Sequence, residues 1–427
     1  MVVHHILRAH PPSDKQPRER PAPLLTGLVL LTIWLSIGYY WVAFFLPSAS
    51  LSDGDWTRLL PFVPQVPNLD GPSPYDVPKK ISGADVRPSK GLPPVHASQK
   101  YWNQKVGAKG SRNAAGTYDL GDQPITVYLV AHSHLDPGWI ETFEHYYQSK
   151  VKKILMNVVE ELSVGELMLL DKKFTWCETS FLKRFWEDRS VKQITKSRLA
   201  SLIWEGKFEI VGGGWVQHDE SLTNFKAQLL NMEAGLKWLH STFPGLKQED
   251  RVVDTLWQID PFGASDLTPL LLADDFKFAL LNRVGDEIKD QLRAEGVSDF
   301  LWTSPMKPEG GILAHVTNIH YSTEQQEYLR ECANSSEWRN LHMREQILNN
   351  LRDWVIGPNL AQSKHRHLML LVGNDFSFMP DSLDFKILDM LHVLLNKYAS
   401  EHFNLRISAK YATASDYFKA VETEVRA

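Results

Sequence analysis

The sequence ITVYLVAHSHLDPGW, residues 125–139, gives the clearest indication of both the fold and the candidate site. Its first seven residues are aliphatic, aromatic or β-branched, apart from a terminal alanine, and this composition predicts a buried strand. His134 and Asp136 stand two residues apart just after that strand, so both can turn toward one metal ion. Pro137 and Gly138 end the strand at once and hold both side chains at the carboxyl edge of the sheet, where α/β enzymes place their sites.

Strand and helix patterns alternate from about residue 124 onward. This alternation predicts an α/β fold, with a barrel-like, mostly parallel sheet and surrounding helices. The predicted strands are 125–131, 173–178, 207–212, 252–258, 277–282, 299–303, 312–318 and 367–372. The predicted helices include 141–163, 190–205, 225–241, 341–355 and 382–398.

The composition excludes some classes of protein. A formal net charge of −5 over 427 residues gives no basic surface for nucleic acid or for an anionic membrane. Two cysteines, Cys177 and Cys332, are too few for a disulfide framework. The 14 tryptophans fit either a large aromatic core or a carbohydrate site, because indole faces stack on the CH surfaces of sugars.

The N-terminal part has the pattern of a membrane anchor and a stem. Residues 24–46 carry no charge, which is long enough for a membrane-spanning helix, with a buried core helix as the alternative. Basic residues precede the segment, so residues 1–23 are predicted to be a cytosolic tail and the rest lumenal. Residues 47–123 are rich in proline and are predicted to be a disordered stem before a domain at 124–427.

Three further strand ends carry carboxylates. Asp219 lies in GGGWVQHDE (212–220), Asp260 in WQIDPFG (257–263) and Asp375 in LVGND (371–375). Taken singly, each could be a solvated loop carboxylate or a helix cap. Together with His134 and Asp136 they predict a cluster of one imidazole and several carboxylates, which suits a catalytic Zn²⁺. Paired carboxylates also suit glycoside hydrolysis.

The motifs HSHLDPGW, GGWVQHDE and WQIDPFG, in this order, resemble glycoside hydrolase family 38, the α-mannosidases of the Golgi α-mannosidase II type. The resemblance covers about residues 124–425. It implies zinc ligands at His134, Asp136 and Asp219, with Asp219 also the catalytic nucleophile. It places Trp139 in the wall of the mannose pocket, and we expect Asp260 to bind substrate. It also implies a single-pass type II Golgi membrane protein that trims mannose from lumenal N-glycans with retention of configuration.

The sequence departs from this family pattern in two places. The family's acid/base aspartate stands in a motif close to FYSYDIPH; here Tyr321 and Ser322 are kept and Glu324 takes the place of the aspartate. Glu324 is therefore the candidate proton donor, with an ordinary loop carboxylate as the alternative. The family's fourth zinc ligand is a histidine of an HHD motif beyond the α/β domain. We expect a weaker metal site in this chain, as in an incomplete product or a shortened relative.

Two other functions remain open at this point. One is a non-catalytic mannose-binding or regulatory lumenal protein, which would keep the metal ligands but not the proton donor. The other is a metal-dependent polysaccharide deacetylase, which also places Asp and His ligands at the strand ends of an α/β barrel. The order of the three motifs favours the mannosidase.

Overall fold

A computed structural model describes residues 117–426, apart from residues 168–169, 248–252, 319 and 323–325. The strands are β1 (Ile125–Ala131), β2 (Phe174–Trp176), β3 (Phe208–Ile210), β4 (Thr255–Gln258), β5 (Phe278–Leu281), β6 (Asp299–Ser304), β7 (Lys307–Val316), β8 (His367–Val372) and β9 (Ile407–Ala412).

Helices separate most of the strands. The α-helices are α1 (Phe143–Tyr146), α2 (Lys152–Leu167), α3 (Thr179–Glu187), α4 (Gln193–Trp204), α5 (Phe225–Thr242), α6 (Leu267–Leu272), α7 (Asp286–Glu295), α8 (Gln326–Asn334), α9 (Leu341–Leu351), α10 (Gly357–Ala361), α11 (Asp384–Leu394), α12 (Ser400–Phe403) and α13 (Ala414–Arg426). Short π-helical turns at Tyr147–Val151, Arg352–Ile356 and Leu395–Ala399 continue α1, α9 and α11, and 3₁₀ turns lie at Pro244–Lys247 and Ser336–Arg339.

The sheets are mixed, and most strand pairs are parallel. β1 lies between β8 and β9 and is parallel to both, β2 is parallel to β3, and β4, β5 and β7 are parallel to one another. β6 is antiparallel to β7, with which it forms a hairpin. A bridge between His132 and Thr175 joins β1 to β2, and the N–H of Gly212 donates to Thr255 O at 2.8 Å, which links β3 to β4. The predicted α/β fold is therefore confirmed.

The sequence patterns located most elements but missed several. β1 and β8 have the predicted bounds, whereas β2 and β3 are shorter than predicted, and the predicted strand 312–318 is the second half of the longer β7. β9 was not predicted from the sequence pattern, although its side chains alternate between buried and exposed over most of its length. The sequence patterns also gave no prediction for α3, α6, α7 and α8.

The predicted cytosolic tail and membrane anchor, and the stem up to residue 116, lie outside the described residues. Within the described part, no helix combines the length and the apolar character needed to cross a membrane.

Alternate side chains of β1 pack into two different cores. Val127 and Leu129 belong to the core formed with most of the helices. Tyr128 and Val130 face the opposite way, into a smaller core that contains Phe418 and other residues of α13. Both faces of the central strand are thus buried, which explains its continuous apolar sequence.

Helix α13 is fixed by a polar contact at its first turn and by aromatic packing. The two carboxylate oxygens of Glu209 accept the N–H groups of Ala414 at 2.9 Å and Ser415 at 3.1 Å. The ring of Phe418 stacks on Phe278 with 5.2 Å between centroids. These contacts hold the helix against the second face of the sheets.

The loop after β8 lies directly against the loop after β1. Gly373 has φ +156°, and a Cβ atom at this position would lie 1.9 Å from the carbonyl oxygen of His132. The backbone N–H of His134 donates to Asn374 O at 3.2 Å, and the N–H of Phe376 donates to His134 O at 2.9 Å. Only glycine permits this close approach, which sets the backbone position of His134.

Gly373→Ala should therefore lower the free energy of unfolding by about 3 kcal/mol or more, because the new methyl group collides with a carbonyl oxygen that cannot move independently. The midpoint of urea unfolding measures this loss. Gly206→Ala is the matched control: Gly206 also has a positive φ, +71°, but open space lies around the added Cβ. Its cost should be limited to backbone strain of about 1 kcal/mol. Equal losses in the two variants would contradict the close-approach argument.

Candidate metal centre and active site

Three side chains converge at the carboxyl ends of β1 and β4. His134 Nε2 lies 3.3 Å from Asp136 Oδ1 and 3.3 Å from Asp260 Oδ2. One ligand atom from each residue lies within 4.8 Å of the other two, and His134 is buried while both aspartates are partly exposed. An imidazole nitrogen with two carboxylate oxygens, open to solvent on one side, is the donor set of a catalytic divalent cation such as Zn²⁺.

The chemistry of these donor atoms fits a cation. The Nε2 atom of His134 is buried and makes no hydrogen bond of acceptable geometry, although two carboxylate oxygens lie near it. Burial works against a charged His134, but the carboxylates of Asp136, Asp260 and Glu178 outweigh it and raise the pKa of His134 to about 10. A metal ion would take the place of that proton, because only the neutral imidazole is a ligand.

Arg283 orients the Asp260 carboxylate. The guanidinium Nε and Nη2 atoms lie 2.7 and 2.6 Å from Asp260 Oδ1, which leaves Oδ2 directed at His134. Burial alone would raise the pKa of Asp260, but His134 and Arg283 outweigh it and lower that pKa. The guanidinium also lies over the ring of Phe262, 4.5 Å from its centroid. Gln217 fixes the backbone, because its Oε1 atom accepts the N–H of Asp260 at 2.9 Å.

Asp219 lies on the neighbouring loop and is not a member of the converging group. Its Oδ1 atom accepts the backbone N–H groups of Ser221 at 2.8 Å and Leu222 at 3.3 Å. The hydroxyl of Ser221 donates to Phe262 O at 3.1 Å, which ties this loop to the one that carries Asp260. The third member of the group is therefore Asp260, predicted as a substrate contact, and the ligand and nucleophile roles of Asp219 stay predictions.

A second layer of polar contacts lies around the group. His132 Nε2 lies 2.8 Å from Tyr321 O, and burial lowers the pKa of this histidine to about 4, so the neutral ring donates to the carbonyl. The hydroxyl of Tyr321 donates to Asp375 Oδ1 at 2.7 Å. These contacts join the ends of β1 and β8 to the segment after β7.

The remaining predicted site residues are exposed or lie outside the described part. The side chain of Trp139, predicted to line a mannose pocket, is 72% exposed. That of Phe262, on the loop after β4, is 65% exposed. Glu324, the predicted proton donor, lies in the undescribed residues 323–325.

Unpaired buried polar atoms concentrate beside the group. Eight of the twelve buried side-chain N and O atoms without a hydrogen bond in the described part belong to residues 132–134 and 178–180. Unpaired buried polar groups are rare in folded proteins because each is costly. Their concentration at the ends of β1 and β2 makes this edge the candidate for a ligand or ion site.

Comparison with known proteins identifies the family. Residues 124–427 match the Glycosyl hydrolases family 38 N-terminal domain. The chain belongs to glycoside hydrolase family 38. Alpha-mannosidase C of Dictyostelium discoideum is 31% identical over 334 residues, which cover 70% of this chain and 29% of that protein. Alpha-mannosidase 2 of Drosophila melanogaster is 30% identical over 332 residues, which cover 71% of this chain and 28% of that protein.

The chain therefore spans less than a third of the length of these relatives. Among solved structures, an alpha-mannosidase from Enterococcus faecalis V583 is 20% identical, with a TM-score of 0.49 over 70% of this chain and 29% of that one. The family assignment depends on the sequence match, not on this structural likeness.

Three residues of the site were missed in the sequence. Glu178 follows β2, Arg283 follows β5 and Gln217 precedes Asp219 on its loop. All three come directly after strands or within a motif already noted, so their position at the carboxyl edge was a usable signal. Nothing in the sequence indicated that Arg283 would pair with Asp260, 23 residues earlier.

The geometry makes a prediction about zinc affinity. Asp260→Asn should weaken Zn²⁺ binding by about 100-fold, because the variant loses a charged ligand atom. Asp219→Asn should weaken it by much less, since Asp219 is outside the converging group. Competition with a chromophoric chelator at pH 7.5 measures both affinities. A loss with Asp219→Asn as large as that with Asp260→Asn would instead favour the ligand set implied by the family resemblance.

Proposed function

We propose that this chain is a zinc-dependent, retaining α-mannosidase that removes mannose from N-glycans. The observation that carries the proposal is the convergence of His134, Asp136 and Asp260 in a member of glycoside hydrolase family 38. The names of the related proteins, all alpha-mannosidases, supply the substrate class.

His134, Asp136 and Asp260 would hold the cation, which when bound would chelate the adjacent 2- and 3-hydroxyls of a mannose ring. Arg283 keeps the Asp260 carboxylate in position during binding, through its two contacts to Oδ1. The exposed indole of Trp139 would offer a flat apolar surface for the sugar ring. Together these residues would orient the terminal mannose over the loop that carries Asp219.

Asp219 is the proposed nucleophile. Its Oδ1 atom is held by two backbone N–H groups, which orients the carboxylate for attack on the anomeric carbon. The bond from Asp219 to the anomeric carbon would form as the glycosidic C–O bond breaks, and Glu324 would give its proton to the leaving oxygen. Water, deprotonated by Glu324, would then release mannose with its original configuration.

We also propose that the protein is a type II membrane protein of the Golgi with a lumenal catalytic part. The uncharged segment 24–46, with basic residues before it, supports this topology.

The activity prediction uses the full-length chain in detergent. It should release mannose from an aryl α-mannoside in the presence of Zn²⁺, and the first product seen by NMR should be the α-anomer. Asp219→Asn should reduce kcat by about 10⁴-fold or more, because the amide is a very poor nucleophile. The matched control is Asp274→Asn, an aspartate paired with Lys307 away from the site, which should keep kcat within about twofold.

Equal rates in the wild type and Asp219→Asn would overturn the proposed mechanism. Binding of mannosides without turnover in the wild type would instead support a non-catalytic mannose-binding protein.

The localisation prediction is tested with residues 1–46 fused to a fluorescent protein. The fusion should co-localise with a Golgi marker, and its fluorescent part should resist protease in sealed vesicles. A cytosolic, protease-sensitive fusion would rule out the proposed topology.

A further inference from the structure

Glu178 is held in a fixed position beneath the converging group. It is the N-cap residue of α3, directly after β2. Its backbone carbonyl accepts the indole N–H of Trp176 at 3.0 Å and the N–H of Leu182 at 3.2 Å. The residue is only 1% exposed, so its carboxylate points into the protein and has no access to solvent.

The carboxylate faces the back of the candidate ligand. Glu178 Oε1 lies 3.9 Å from Nδ1 of His134, whereas Nε2 on the other side of the ring faces Asp136 and Asp260. Neither carboxylate oxygen of Glu178 makes a hydrogen bond of acceptable geometry, and neither does Nδ1 of His134. Two buried and complementary groups therefore face each other, and the backbone N–H of Leu135 also lies near the Glu178 carboxylate.

We propose that Glu178 is the positioning residue of the metal centre: its carboxylate, 3.9 Å from Nδ1 of His134, favours a proton on that nitrogen and so keeps the lone pair on Nε2 directed at the cation. The inference rests on the metal centre in the proposed function. A neutral imidazole carries one N–H and one lone pair, so an acceptor at Nδ1 selects the tautomer that can bind metal through Nε2. A carboxylate in that place also increases the electron density on the ligand nitrogen and holds the ring orientation.

Glu178 acts through His134 and not on the substrate. The imidazole ring lies between its carboxylate and the converging oxygens, and the side chain is closed off from solvent. The carboxylate therefore has no path to the glycosidic oxygen or the anomeric carbon, which leaves ligand orientation as its role.

The test measures zinc affinity of the full-length chain in detergent by competition with a chromophoric chelator at pH 7.5. Glu178→Gln should weaken binding by about 10- to 100-fold, since a neutral amide is a weaker partner for Nδ1–H. Glu178→Asp should recover part of the loss, because it restores the negative charge. His134→Ala should abolish the high-affinity site.

The matched control is Glu209→Gln. Glu209 is also a carboxylate of the strand core, but it caps α13 rather than facing His134. The zinc affinity of the Glu209→Gln variant should stay within about twofold of the wild-type value. Thermal unfolding of each metal-free variant shows whether Glu178→Gln is folded, so a loss of affinity with retained folding separates positioning from support of the fold.

Two negative results have different meanings. If His134→Ala abolishes zinc binding but Glu178→Gln binds like the wild type, the positioning role of Glu178 is wrong and the metal centre stands. If His134→Ala binds zinc as well as the wild type, the metal centre is wrong, and the inference about Glu178 fails with it.

Discussion

The contact between Gly373 and the carbonyl of His132 constrains the edge of the sheet that carries the candidate site. Parallel pairing aligns β1 with β8 residue by residue, so the two strands end at the same level. Beyond their ends the loops stay in contact, because a glycine permits the backbones to touch and two hydrogen bonds then fix His134. Residues on loops are normally mobile, but the backbone of His134 is held at both its N–H and its carbonyl group.

The group also has an unusual distribution of charge. One buried imidazole is surrounded by Asp136, Asp260 and Glu178, and Arg283 neutralises only the outer oxygen of Asp260. Burial raises the pKa of Glu178 to about 7, with His134 acting in the opposite direction. Carboxylates that crowd a buried site repel each other unless a cation lies between them. In the metal-free group, protonated His134 and Arg283 offset this repulsion, and a bound cation would take over the part of the proton on His134.

Strands and site residues could be predicted when neighbouring residues in the sequence determine them, and not when contacts with distant parts of the chain do. β1 and β8 could be read from the sequence because both faces of these strands are buried, which leaves continuous apolar runs. β9 has polar Ser408 and Lys410 on one face and follows a long helix closely, so its pattern was less distinct. The motif HSHLDPGW contained both local members of the converging group, His134 and Asp136.

The identity of the third member was not local. Several loops bring a carboxylate to the same edge, and their order along the chain does not determine which oxygen approaches His134. That choice depends on Arg283, which takes one oxygen of Asp260, and on the two backbone N–H groups that hold Asp219 Oδ1. Glu178 was similarly hidden, because a lone glutamate after a short strand does not reveal that it is buried.

The central position of β1 affects the order in which the protein can fold during synthesis. β1 pairs with β8 and β9. Thr126 therefore cannot pair with His367 and Ser408 until these residues, more than 240 positions later in the sequence, have been translated. The core on the second face of the strand also includes residues of α13, which are translated later still. Contacts so distant in sequence form slowly and leave apolar surface exposed in the meantime. The edge that carries His134 is therefore expected to be among the last parts of the chain to form.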